Sequence, residues 1–116
     1  MKVIVLGAGR VGEAMVRDLE ACGRFDLTVV DHSPEAVERL GNLAAVRTEI
    51  ADLSSSSDVA RIVSGHDLAV GAMPGPMGFA TLRAVIEAGV DIVDISFFEE
   101  DPWPLHLVAV DRGVTA

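Results

Sequence analysis

The sequence is poor in several residue types that would otherwise point to a function. Its 116 residues include one cysteine, no tyrosine, one tryptophan and four phenylalanines. The single Cys22 excludes an intrachain disulfide, and its place among the apolar positions of a helical pattern predicts a packed thiol in a cytoplasmic protein. A core with so few aromatic residues must consist of Val, Ile, Leu and Ala, which is typical of a parallel sheet covered by helices.

Basic residues are scarce and scattered along the chain. Nine Lys and Arg stand against eighteen Asp and Glu, which gives a net charge of −9. Nucleic acid is therefore not an expected partner, because binding its phosphates needs clustered positive charge. The apolar run after Lys2 is broken by glycines, and no apolar segment has the ~18 residues of a membrane span or the form of a signal peptide. We expect no membrane partner.

Motifs for metal binding and for nucleophilic catalysis are also missing. One cysteine and three distant histidines lack the spacing of a metal site. Neither a GxSxG nucleophile turn nor a phosphate-loop lysine is present. His66 precedes a strand at the wrong edge of the expected sheet, and His106 lies on the last helix. The sequence therefore assigns no metal ligand and no catalytic residue.

A glycine-rich turn near the amino terminus is the most informative feature that is present. Residues 3–6 form a β-branched run that predicts a buried strand, and Gly7, Gly9 and Gly12 follow it before a helical pattern over residues 13–22. The first glycine permits a tight turn, the second lets the backbone approach a pyrophosphate, and the third lets the helix pack closely. Unpaired N–H groups at the helix start favour a bound phosphate. The pattern predicts a dinucleotide-binding turn.

An acidic residue ends the next apolar run. Residues 27–30 predict a second strand, and Asp31 stands 19 positions after Gly12, close to the roughly 20 that are typical of a ribose-binding carboxylate. A carboxylate there accepts hydrogen bonds from the adenosine ribose and repels a 2′-phosphate, and neither position 32 nor position 33 carries Arg or Lys. We therefore expect NAD rather than NADP. The alternative interpretation is a turn that binds no phosphate, followed by an incidental Asp.

The rest of the chain alternates between helix and strand patterns. We predict helices over residues 34–40, 58–63, 79–88 and 105–112, and strands over residues 44–48, 68–72 and 90–95. Such alternation favours an α/β fold, a doubly wound parallel sheet of the Rossmann type with strand order 3-2-1-4-5. Residues 114–116 begin a sixth strand that is truncated. Residues 1–116 are expected to form one NAD(P)-binding domain.

Ligands of such sheets bind beyond the carboxyl ends of the strands, where the strand order reverses. Arg10 would neutralise the pyrophosphate, with a solvated arginine as an equal alternative, and His32 would shape the ribose site. Asp52 and Leu53 would border the adenine, unless the acid only stabilises a turn. Residues 72–75 would lie beside the nicotinamide ribose, unless they form an ordinary loop. The candidate cofactor-binding residues are Gly7, Gly9, Arg10, Val11, Gly12, Asp31, His32, Asp52, Leu53, Ala72, Met73 and Pro74.

Two later segments add a resemblance to a known family. Residues 72–79, AMPGPMGF, and residues 87–97, EAGVDIVDISF, resemble the cofactor domain of the saccharopine dehydrogenase family, including its lysine 6-dehydrogenase-like members. The resemblance extends over the whole chain. It implies a Rossmann domain that holds the nicotinamide cofactor, while a second domain supplies most substrate contacts and the acid–base residues.

The resemblance also implies a reaction. An enzyme of this family moves a hydride from a carbon bearing nitrogen to the nicotinamide, and the resulting imine hydrolyses to an aldehyde or keto product. Family chains are much longer than 116 residues, and this one stops inside an expected strand. We expect the cofactor half of an oxidoreductase, inactive alone, whose small amino-acid substrate binds through a missing second domain. Substrate identity and oligomeric state, homo-oligomers included, stay open.

Other functional classes remain as alternatives. The glycine turn with Asp31 also resembles the nucleotide-sensing Rossmann domains that regulate potassium uptake systems. Those domains usually have a Gly-Asp-Ala turn after their third strand, where this chain has EIAD at residues 49–52. The PGP sequence at residues 74–76 also fits them poorly. A nucleotide-sugar or other short-chain Rossmann enzyme is the third alternative.

Overall fold

A computed structural model describes residues 1–116 as a five-stranded parallel sheet with five helices. The strands are β1 (Lys2–Leu6), β2 (Asp26–Asp31), β3 (Val46–Ile50), β4 (Leu68–Gly71) and β5 (Asp91–Asp94). The helices are α1 (Arg10–Cys22), α2 (Pro34–Glu38), α3 (Ser56–Val63), α4 (Gly75–Glu87) and α5 (Pro104–Arg112). None of these helices combines the length and hydrophobicity that crossing a membrane requires.

The first strand lies in the centre of the sheet. β1 pairs in parallel with β2 on one side and with β4 on the other, so that the strand order is β3-β2-β1-β4-β5. The expected doubly wound α/β fold and its strand order are therefore confirmed. Because the chain leaves β1 and β4 in opposite directions, a crevice forms beyond their carboxyl ends.

The core consists of two apolar layers, one on each face of the sheet. On one face, Ile4 and Leu6 of β1 pack with residues of α3, α4 and α5, among them Val63 and Val85. On the opposite face, Val5 packs with residues of α1 and α2. The alternation along β1 follows from the two-residue repeat of a strand, and both faces are apolar because helices cover both.

Several element boundaries differ from the sequence-based expectation. Helix α4 begins at Gly75 rather than at residue 79, although a proline follows at position 76. Proline is tolerated there because the first turn of a helix needs no N–H donor. Helix α1 begins at Arg10 rather than at residue 13, and β3 lies at Val46–Ile50, displaced from the expected 44–48.

The buried side of α1 also differs from the expectation. Cys22 and Ala14 are exposed, whereas Gly12 and Val16 are buried. The prediction that the Cys22 thiol is packed is therefore wrong. The physical reason is the close contact of Gly12 with Gly7 in the glycine turn, which fixes the rotation of the helix about its axis.

Residues 114–116 do not form a regular strand, but they lie beside β5. The N–H of Ile92 donates to the carbonyl of Thr115 at 2.9 Å, and the N–H of Thr115 donates to Oδ1 of Asp91 at 2.8 Å. The backbone at this position therefore runs along the edge of the sheet, as the expected truncated sixth strand would.

Candidate cofactor site

The turn after β1 requires glycine at its first position. Gly7 has a φ of 101°, in the left-handed region that side chains rarely adopt. A Cβ at this position would lie 2.7 Å from the carbonyl oxygen of Ala72. The N–H of Gly7 donates to the carbonyl of Val30 at 2.8 Å, which ties the turn to β2. The turn is thus held between the ends of β2 and β4.

Gly12 lets the first turn of α1 approach the backbone of Gly7 closely. A Cβ here would overlap the carbonyl oxygen of Gly7, an atom of the same turn. The sequence predicted that this glycine lets the helix pack on the sheet, and the structure specifies the contact as helix against turn. The first turn of α1 therefore lies directly over the end of β1.

Gly9 stands at the open side of the turn. It is the N-cap of α1, and an added Cβ would find no heavy atom within 4 Å. The N–H groups of Arg10, Val11 and Gly12 have no acceptor in the protein. Free donors at the positive end of a helix dipole, next to a residue without a side chain, fit a pyrophosphate.

The carboxylate of Asp31 lies at the same turn. Its Oδ2 accepts from the N–H of Ala8 at 2.7 Å, and its Oδ1 accepts from the N–H of Ser33 at 2.8 Å. The side chain is 13% exposed. A carboxylate has about four acceptor lone pairs, so acceptor capacity remains for a hydroxyl group. His32 places its Nδ1 3.2 Å from Oδ1 of Asp31 but extends mostly into solvent.

One arginine at the turn was missed by the sequence analysis. Arg39 donates from Nη2 to the carbonyl of Ala8 at 3.3 Å and from Nε to Oε2 of Glu13 at 3.0 Å. Arg17 donates to Oε1 of Glu13 at 2.9 Å. Positions 32 and 33, the immediate neighbours of Asp31 in sequence, carry no positive charge, whereas α2 brings the more distant Arg39 back to the turn.

The two guanidinium groups act on the Glu13 carboxylate. The hydrogen bond from Arg39, followed by that from Arg17, lowers the pKa of Glu13 below its ordinary value of 4.5. Glu13 is therefore an anion at neutral pH, in the first turn of α1 where the helix dipole favours negative charge.

The candidates at positions 52 and 53 lie in different environments. Asp52 is exposed, and its Oδ1 accepts from the N–H of Ser54 at 2.9 Å. Hydrogen bonds from Ser54, and more weakly the charge of His32, lower the pKa of Asp52. Leu53 is buried in the core, so its side chain offers little surface to a ligand.

The loop after β4 reaches the glycine turn. The N–H of Ala72 donates to the carbonyl of Leu6 at 2.9 Å, which places Ala72 beside Gly7. Met73 is half-buried against the core, and Pro74 is the exposed N-cap residue of α4. The loops after β1 and β4 therefore meet where the strand order reverses.

The structure divides the candidates into three groups. Some converge on the crevice between β1, β2 and β4: Gly7, Gly9, Gly12, Asp31, Ala72 and Met73. Others lie at the margin of the crevice with exposed side chains: Arg10, Val11, His32, Asp52 and Pro74. Leu53 alone is buried in the core. No cluster of three or more His, Cys, Asp or Glu is arranged to hold a metal ion.

A mostly apolar cleft of about 580 Å³ lies between α4, α5 and residues 114–116. It contains the side chains of Trp103 and His106, and Asp94 and Ser96 from the carboxyl end of β5. It shares no residue with the glycine turn. Nine of its fourteen lining residues are hydrophobic, which suits a pyrophosphate poorly.

Comparison with protein families gives one match over nearly the whole chain. The model described as the saccharopine dehydrogenase NADP binding domain matches residues 3–116. Among solved structures, apo saccharopine dehydrogenase (L-Glu forming) from Saccharomyces cerevisiae has a TM-score of 0.84 at 19% identity. That alignment covers 98% of this chain and 26% of the yeast chain.

Two further structures contain a dinucleotide. The WlbA dehydrogenase from Bordetella pertussis, in complex with NADH and UDP-GlcNAcA, has a TM-score of 0.75 at 21% identity, over 98% of this chain and 33% of that one. Biliverdin reductase from Synechocystis, in complex with biliverdin and NADP+, has a TM-score of 0.78 at 16% identity. That alignment covers 98% of this chain and 36% of the reductase. At such identities the likeness shows the fold. This chain spans between about a quarter and just over a third of these proteins.

Proposed function

This chain belongs to the family of saccharopine dehydrogenase NADP-binding domains, and on that premise we propose that it is the cofactor-binding part of an enzyme acting on amino-acid C–N groups. The family membership itself establishes an NAD(P)-binding domain of the oxidoreductase class. The finer proposal is that the enzyme transfers a hydride between NAD(P) and a substrate carbon that bears nitrogen.

The free N–H groups at the start of α1 are the observation that carries the proposed binding mode. The N–H groups of Arg10, Val11 and Gly12 have no protein acceptor and border the open side of Gly9. Phosphoryl oxygens would accept from these donors, because a helix amino terminus stabilises negative charge. Arg10 is exposed at the same end of the helix and adds positive charge there.

The adenosine and nicotinamide ends follow from the neighbours of this turn. Asp31, held at Ala8, would accept from the ribose hydroxyls, with His32 and Asp52 at the outer margin of the adenosine site. The nicotinamide ribose would lie on the other side of Gly7, along residues 72–74. The crevice at which the strand order reverses would thus hold the dinucleotide across its width.

We propose NAD as the preferred dinucleotide, with NADP bound less tightly. The carboxylate of Asp31 would repel a 2′-phosphate, and its two oxygens are already held in place by the N–H groups of Ala8 and Ser33. A fixed carboxylate cannot move away from an added phosphate without breaking these hydrogen bonds. The acid therefore discriminates against NADP at little cost to NAD binding.

The chemistry is divided between the cofactor, this chain and the remainder of the enzyme. When bound, the nicotinamide supplies the hydride acceptor. The residues of this chain would orient the cofactor, with residues 72–74 beside the nicotinamide ribose. A second domain would bind the amino compound and supply the proton-transferring groups, in keeping with the greater length of the matched structures.

Titration of the 116-residue chain with NADH, NADPH, ADP and ATP tests the proposed cofactor. We expect NADH to bind most tightly in calorimetry. The Gly9→Ala variant should lose affinity for both dinucleotides by about tenfold or more, because a Cβ would occupy the space where the backbone approaches phosphate. Gly41→Ala is the matched control, since its Cβ would make only an ordinary contact with Glu38.

The Asp31→Ala variant tests the assigned preference. It should bind NADH about tenfold more weakly, since it loses charge-assisted hydrogen bonds to the ribose, and the advantage of NADH over NADPH should narrow. Tighter binding of NADPH than NADH by the unmodified chain would contradict the role given to Asp31. Binding of ADP or ATP in preference to both dinucleotides would instead support the nucleotide-sensing alternative.

A further inference from the structure

The adenosine end of the proposed site contains a positive charge that the glycine motif does not predict. Arg39, the C-cap residue of α2, donates from Nη2 to the carbonyl of Ala8 at 3.3 Å. The N–H of Ala8 donates to Asp31 at 2.7 Å. The guanidinium and the carboxylate assigned to the ribose therefore flank the same residue of the turn.

The Glu13 carboxylate forms an ion pair with this guanidinium. Its Oε2 accepts from Nε of Arg39 at 3.0 Å, while its Oε1 accepts from Arg17 at 2.9 Å. The pair is partly shielded, since the Glu13 side chain is 23% exposed and that of Arg39 is 49% exposed. The lowered pKa of Glu13 keeps the carboxylate charged, so the pair persists at neutral pH.

The remaining hydrogen bonds of Arg39 are long. Its Nη1 donates to the carbonyl of Glu35 at 3.4 Å, and its Nη2 contact with Ala8 is 3.3 Å. The bond to Glu13 is both the shortest and the only one to a charged group. Without Glu13, the Nε side of the guanidinium would be free to pair with another anion, and a guanidinium binds phosphate oxygens through two parallel donors.

We propose that Glu13 sets the dinucleotide preference by occupying Arg39, which would otherwise bind the 2′-phosphate of NADP. The proposal rests on the proposed function, because it requires the adenosine ribose to lie at Asp31. Asp31 acts on a 2′-phosphate directly, by repulsion. Glu13 acts through Arg39 and is a positioning residue.

The Glu13→Gln variant of the full 116-residue chain provides the test. Dissociation constants for NADPH and NADH are measured by calorimetry at one fixed, low salt concentration. We expect the preference for NADPH over NADH to rise about tenfold, as one additional charge-assisted contact predicts, with NADH affinity changed by less than about threefold. An unchanged ratio would overturn the proposal. Glu13→Ala replaces the variant if Glu13→Gln does not fold.

Glu87→Gln is the matched control for net charge. Glu87 accepts from Nε of Arg83 at 2.7 Å on α4, so this variant also removes one acid and releases one arginine. It does so away from the glycine turn. We expect its NADPH-to-NADH ratio to equal that of the unmodified chain, and an equal rise in both variants would show a general charge effect and contradict the proposal.

A double-mutant cycle separates the pairing from direct repulsion by Glu13. In an Arg39→Gln background, Glu13→Gln should leave the ratio unchanged, because the arginine through which it acts is gone. A gain that persists in this background would assign the effect to Glu13 itself or to Arg17. That result would contradict the proposal.

Repeating the titrations with 2′,5′-ADP and 5′-AMP distinguishes this inference from the proposed function. These ligands report on the adenosine end alone, and Glu13→Gln should favour 2′,5′-ADP by the same factor. If the unmodified chain binds no dinucleotide, both the proposed function and this inference are wrong. If it binds NADH and Glu13→Gln does not change the ratio, only the inference is wrong.

Discussion

Four valines form a row across one face of the sheet, and the two ends of the row lie in different surroundings. Val29, Val5, Val70 and Val93 are register partners on β2, β1, β4 and β5. Val29 and Val5 are fully buried, whereas Val93 is 57% exposed. The same residue type on the same face thus contributes unequally to the core.

The difference follows from where the helices pack. On this face, α1 contacts β1 and β2, and α2 contacts β2 and β3. Helix α4 lies on the opposite face, against β4 and β5. Ile95 and Phe97, which follow β5 along the chain, are also exposed, at 48% and 96%.

On this face, the half of the molecule that contains the glycine turn is better packed than the half around β5. There, strands, turn and first helix are in mutual contact, and the turn atoms have little room to move. Around β5, apolar side chains remain in solvent, so their removal costs little. On this face, the buried side chains therefore lie next to the proposed cofactor site.

The largest expected effect is at Gly12. Gly12→Ala should lower the free energy of unfolding by about 3 kcal/mol or more, because the added Cβ would overlap a backbone oxygen of Gly7 that cannot move independently. Gly9→Ala, in the same turn, should change it by less than about 1 kcal/mol, since its Cβ would meet no atom. Urea denaturation measures both, and equal losses would refute the tight packing assigned to this turn.

An intermediate effect is expected along the valine row. Val29→Ala should cost about 2–3 kcal/mol, because it removes two buried methyl groups and leaves a cavity. Val93→Ala should stay within about 0.5 kcal/mol, as is usual for exposed positions. The two variants form a matched pair, and thermal and urea unfolding measure their stability. A comparable loss of unfolding free energy in Val93→Ala would show that the β5 end is packed in solution.

The smallest expected effect is the pH-dependent contribution of Glu13 to the stability of the fold. Its folded-state pKa lies below 4.5, so the stability from its arginine pairs is fully present above that value and is lost as the pH falls through the folded pKa. Between pH about 6 and about 3, the free energy of unfolding should therefore fall less in Glu13→Gln than in the unmodified chain.

Arg39→Gln is the companion variant for this pH profile. It removes the hydrogen bond that contributes most to lowering the pKa of Glu13. Its free energy of unfolding should therefore also fall less between pH about 6 and about 3 than that of the unmodified chain. Superimposable profiles for all three proteins would show that the Glu13 cluster contributes nothing to acid stability.

Much of the fold was predictable because it depends on local patterns. Short apolar runs alternating with helical periods predicted the strand order, and the spacing from Gly12 to Asp31 predicted a carboxylate at the turn. The boundary of α4 was not predictable from such patterns, because prolines at positions 74 and 76 suggest a loop equally well. The exposed thiol of Cys22 depends on the rotation of α1, which a contact between Gly12 and Gly7 determines.

The amino-acid sequence by itself determined the α/β class, the resemblance to a cofactor-binding family and the glycine–aspartate pair, since these follow from residue type and spacing. Only the tertiary structure decided that Arg39 reaches Ala8 and pairs with Glu13, residues 26 positions apart along the chain. It also decided that Val29 is buried while Val93 is not. Both depend on how helices pack across the sheet, which no local pattern encodes.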